Sequence, residues 1–79
     1  MKHFLLVYDT RAGRLLEEPK EYEAADRAMA LEDRFERERL ERRNSHIEVV
    51  LITAPSRHAL ERTHSRYFKT GEELASATG

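Results

Sequence analysis

The stretch His3-Phe4-Leu5-Leu6-Val7-Tyr8-Asp9 decides how the rest of the chain is read. Phe4 to Tyr8 is an unbroken run of apolar and aromatic residues, too short for a helix core and bounded by a turn-forming Asp9. Such a run suits a strand buried on both faces. A second run of the same kind, Ile47-Glu48-Val49-Val50-Leu51-Ile52, is β-branched and apolar on both faces apart from Glu48. Strands without a polar face need a layer above and a layer below, and that need governs everything between them.

Working outward, Asp9-Thr10-Arg11-Ala12-Gly13 marks a hairpin loop in which Gly13 is free to take positive φ. The return strand is expected from Arg14 to about Tyr22. Pro19 within it lacks a ladder donor, which places this strand at an edge guarded by Glu17, Glu18 and Lys20. Ala24 to about Arg43 holds no Gly or Pro and reads as one long helix, with Ala24, Ala28, Leu31 and Phe35 as its core stripe. Tyr22, Met29 and Leu40 form a second stripe flanking it. Asp33–Arg37 and Glu38–Arg42 have the favoured acid-first spacing for ion pairs. Asn44-Ser45 ends the helix, with Asn44 a left-handed stop. After the Ile47–Thr53 strand, Ala54-Pro55 breaks the chain, and Ser56 caps a helix expected to run to Lys69. Its inner face carries Leu60, Thr63, His64 and Tyr67, and Gly71 stops it.

The element order is therefore ββαβα, an α+β class. The predicted architecture is a three-stranded antiparallel sheet in the order 2-1-3 with two helices on one face. One domain covers residues 1–70, and a flexible tail covers 71–79. If both helices share a face, the other keeps alternate apolar residues, either Phe4, Leu6 and Tyr8 or Leu5 and Val7. A homodimer through that open face follows as an expectation, with Phe4, Leu6, Tyr8, Val50 and Ile52 as interface candidates. A chain of 79 residues has room for a modest core only, which favours a partner.

Composition bounds the rest. No cysteine is present, which excludes disulfides, thiolate metal sites and a Cys nucleophile, and suits a reducing cytoplasm. No apolar run approaches the ~18 residues of a membrane span, and the chain opens on a strand with no signal-peptide pattern. Charged residues make up 37% of the chain but nearly cancel, with a net charge of −1, unlike a generic polyanion binder.

The four histidines do not converge: His58 and His64 stand about 240° apart on their helix, and His3 and His46 lie at opposite ends of the sheet. No metal and no cofactor are expected. His64, with Tyr67, is a candidate ligand-facing pair, against the plainer role of a packed histidine holding the helix. Asp9 and Glu48 are the carboxylates on the interior strands. Close together they would share a proton or bind Mg²⁺; apart, they are a turn residue and an ion-pair partner. His58, Arg62, Arg66 and Lys69 form a basic stripe on the second helix, and Arg37, Arg39, Arg42 and Arg43 load the end of the first. These are phosphate-binding candidates, without any specific nucleic-acid motif. The first functional reading is a small cytoplasmic binding or regulatory protein, non-enzymatic, acting through protein–protein contacts. A nucleic-acid module using the basic stripe is the second. A metal-dependent hydrolase or nuclease using Asp9 and Glu48 is the third.

Overall fold

A computed structural model describes residues 1–68 of the chain. Expectations for Lys69, the helix stop at Gly71 and the 71–79 tail lie outside the described residues. The elements are β1 (Lys2–Asp9), β2 (Arg14–Leu15), β3 (Lys20–Glu23), α1 (Arg27–Leu40), β4 (Ile47–Ala54) and α2 (Arg57–Thr63). Single 3-10 turns at Ala24–Asp26 and Ser65–Tyr67 precede α1 and follow α2.

β1 is the centre of an antiparallel sheet. β4 pairs along its whole length, from Lys2↔Ala54 to Asp9↔Ile47. The other side of β1 is shared end to end by β2 and β3. These are the two halves of the expected return strand, so the 2-1-3 order holds. Leu16 to Pro19 leaves the ladder between them, although the Leu16 amide still donates to the Val7 carbonyl at 2.9 Å. Pro19, which has no amide hydrogen, sits at the end of that break. The hairpin turns as expected: Gly13 takes a φ of 69°, and its amide donates to the Asp9 carbonyl at 2.8 Å.

The helices occupy opposite faces of the sheet, not one. Directly opposed residues of an antiparallel pair point to the same face. Phe4, Leu6 and Tyr8 therefore share a face with Ile52, Val50 and Glu48, and Leu60 and Tyr67 close over it. Leu5, on the other face with Leu51, is covered by Ala30 of α1 and by Tyr22. The physical reason lies in β1, whose His3-to-Tyr8 run is buried throughout. Wetting either face would cost about 25 cal/mol for each Å² of apolar surface exposed.

α1 is rotated from its expected setting. Its buried residue is Ala30, while Ala24, Ala28 and Phe35 of the predicted core stripe are exposed and Leu31 is half-buried. Polar anchors fix this rotation. Asp33 accepts hydrogen bonds from the Tyr22 hydroxyl and from Lys20 Nζ at 3.0 Å, and Arg37 pairs with Glu17 at 2.7 Å. The i,i+4 ion pairs of the helix run base-first, Arg34–Glu38 and Arg37–Glu41, in place of the expected acid-first pairs, while Glu36–Arg39 at i,i+3 is acid-first. Of the flanking stripe, Tyr22 is buried but Met29 and Leu40 are exposed. Asn44 does not take the left-handed conformation; its carbonyl accepts the Ile47 amide at 2.9 Å. α2 ends at Thr63, short of the expected Lys69, where His64 leaves helical geometry with φ −126° and ψ 45°.

Candidate interaction surface

Phe4, Leu6 and Tyr8 are 1%, 0% and 5% exposed, so three of the five expected dimer-contact residues are internal core. Val50 and Ile52 are half-buried and pack against that same core. The face expected to stand open is roofed by α2 and by the turn that follows it. At its Tyr8 end the roof is fastened by a polar cluster. The Tyr67 hydroxyl donates to Glu48 Oε1, Arg66 donates to the same oxygen at 2.9 Å, and the Tyr8 and Tyr67 rings meet edge-to-face at 5.1 Å. Burial, and then the Glu48 carboxylate, push the Tyr67 hydroxyl above its usual pKa.

This geometry separates the residues proposed for chemistry. Asp9 lies opposite Ile47, and Glu48 lies opposite Tyr8, so the two carboxylates point to opposite faces. Asp9 Oδ1 accepts the backbone amides of Arg11 and Ala12 at 2.8 and 3.0 Å. The Ala12 amide foremost holds its carboxyl below the usual range. His64 Nδ1 meets its neighbour's Thr63 hydroxyl at 2.9 Å. Tyr67 is buried, engaged with Glu48 and Arg66, and presents no free hydroxyl to a ligand. Among the described residues no cluster of three or more His, Asp or Glu is placed to hold a metal ion. His58 and Arg62 of the basic stripe are exposed, but Arg66 is turned onto Glu48 and over the Tyr8 and Tyr67 rings. Lys69, its fourth member, lies outside the described residues.

A groove of about 260 Å³ runs between α1 and the β2–β3 side of the sheet. It is lined by Leu5, Val7, Lys20, Tyr22, Asp33 and Arg37 among others, and the ion pairs Lys20–Asp33 and Arg37–Glu17 cross it. The opposite side of the molecule differs. β4 is an eight-residue strand, Ile47-Glu48-Val49-Val50-Leu51-Ile52-Thr53-Ala54, with no Pro, Lys or Arg. Among the described residues its outer edge has no strand partner. The bond from the Thr10 amide to the His46 carbonyl at 2.8 Å sets the ladder's phase. Even-numbered residues of β4 turn their backbone groups to β1, and Val49, Leu51 and Thr53 turn theirs outward.

Above that edge lies the exposed flank of α1. Leu31 and Phe35 stand two residues before and two after Asp33, each about 160° around the helix from it. Since Asp33 reaches toward β3, Leu31 and Phe35 overhang β4, and Phe35 is 62% exposed. The open strand edge and the flank of α1 that carries Leu31 and Phe35 thus lie on one side of the molecule, with the Arg34–Glu38 ion pair on that same flank. Sequence reading assigned Leu31 and Phe35 to the core, whereas the expected 2-1-3 order already left the Ile47–Thr53 strand at an edge. The signal for the edge was present, because β4 carries none of the guards that the return strand has in Pro19 and Lys20.

No protein-family model, curated protein or solved structure matches the chain.

Proposed function

We propose that this is a small non-enzymatic binding protein that acts through protein–protein contacts made by the β4 edge and the α1 flank. The observation that carries the reading is the unguarded eight-residue edge of β4 with exposed Phe35 above it. Edge strands ordinarily carry Lys, Pro or a bulge to prevent pairing, and one lacking them is a template for another chain. No helix among the described residues is long and apolar enough to cross a membrane. We place the protein in the cytoplasm, where a cysteine-free chain needs no disulfides to fold.

A photo-crosslinking side chain placed at Phe35, and separately at exposed Arg62 on α2, tests this. Protein adducts formed efficiently from position 35 and poorly from position 62 are the expected outcome. Equal yields, or no protein adduct from position 35, would overturn it.

A further inference from the structure

The surface just described has two parts, and they constrain what fits it. A strand edge accepts another strand. Leu31 and Phe35, standing above the edge, accept another apolar helix flank at the same height. We infer that the occupant is a second copy of this chain, paired β4 to β4 in antiparallel fashion about a two-fold axis normal to the sheet. This rests on the protein-contact reading above and names the partner.

Three features favour a copy of the same chain. First, such an axis keeps like faces together, so one rigid subunit supplies both the strand and the helix flank that the surface requires. Ala30 packs with Leu5 of β1 and with Val49 and Leu51 of β4, which sets α1 over the seam between those two strands. Leu31 and Phe35 bracket the middle of the Arg27–Leu40 helix and would meet their counterparts across the axis.

Second, the strand is self-complementary about its centre. With Val50 on the axis, Val49 lies opposite the partner's Leu51 and Ile47 opposite the partner's Thr53. Every outward-turned residue of β4 then meets another. Glu48 falls opposite the partner's Ile52, whereas an axis on Glu48 would stack two carboxylates. Third, the sheet is narrow: its three strands at ~4.8 Å spacing span only about 10 Å. The proposed pairing doubles the sheet along that direction and covers Val49, Val50, Leu51 and Ile52, all half-buried in one chain.

Sedimentation equilibrium of the full chain, with hydrogen exchange, tests the inference. The expected mass is twice 9.3 kDa, with the Val49, Leu51 and Thr53 amides protected alongside those bonded to β1. Phe35→Glu changes a side chain exposed in the single chain and should give a folded 9.3 kDa species with an unchanged circular dichroism spectrum. Val49→Pro removes an outward amide and should do the same; if it fails to fold, Phe35→Glu alone carries the test. A monomer at millimolar concentration overturns the inference, whether those amides exchange freely or are covered by the chain's own residues 69–79. So does a dimer that Phe35→Glu leaves intact. A monomer that still cross-links another protein from position 35 refutes the second copy while keeping the protein-contact reading. A monomer with no such adduct refutes both.

Discussion

At residue scale, His3 shows how a polar group is accommodated inside a run chosen for burial. Its Nε2 donates to the Ala24 carbonyl at 3.3 Å, which leaves Nδ1 to accept from the Thr53 hydroxyl at 2.8 Å. One imidazole thereby ties β1 to β4 and to the turn that launches α1. His3→Leu removes both bonds, and because Ala24 and Thr53 are exposed enough to turn to water the expected loss is about 0.5–1.5 kcal/mol. A lower urea midpoint with an unchanged slope would show it. Asp33 and Asp9, with Glu36 held low by Arg39, should make stability depend on pH at the acid end. The Tyr22 hydroxyl and Lys20 hold Asp33 below the ordinary carboxylate value, as the Ala12 and Arg11 amides hold Asp9. Below about pH 4 the unfolded chain takes up these protons more readily, so stability is intact above that pH and falls as the depressed values are crossed. Asp33→Asn should flatten the acid limb of a pH–stability curve, and an unchanged limb would remove Asp33 from the account. At the alkaline end the direction reverses. Tyr22 and Tyr67 are raised, first by burial, so stability should decline as pH climbs past about 10.

At the scale of elements, strands were easier to read than helix faces. β1 and β4 were legible because unbroken apolar runs admit few other assignments, and Gly13 was legible because its turn needs positive φ. The start of α2 was legible too: the Ser56 side chain accepts the Ala59 amide at 3.1 Å. Ser56→Ala should cost about 1 kcal/mol, measurable as a lower thermal midpoint. The face of α1 was misread because periodicity reports that an apolar stripe exists without naming its cover. Ala30 lies close against the sheet, and the charged anchors Asp33 and Arg37 aim the helix. The break in the return strand was half-visible in Pro19, but its extent back to Leu16 depends on where the chain rejoins β1 at Lys20. Leu60 was expected on the inner face of its helix and Leu6 on an open sheet face, and both are fully buried. Leu6→Ala should cost about 2–5 kcal/mol, since a cavity there is walled by packed neighbours.

For the whole molecule, the outcome of placing one helix on each face is that surface for a partner moves from the face of the sheet to its rim. The sequence reading placed both helices on one face, and a fully apolar strand, satisfied by any lid, carries no signal against that choice. In the proposed pair, folding and association reinforce one another, so the thermal midpoint should rise with protein concentration in the parent chain but not in Phe35→Glu. Equal midpoints across a wide concentration range would separate the two processes.

The interruption between Leu15 and Lys20 has a consequence for how far assembly can run. A sheet adhesive along both margins adds units without limit, whereas one with a single adhesive margin stops at two. In the proposed pair, Pro19 and the missing rungs beside it would act as a chain terminator. If the β4 edges pair as proposed, mending the gap, for instance with Pro19→Thr and Glu18→Val, should convert the pair into growing filaments detectable by light scattering.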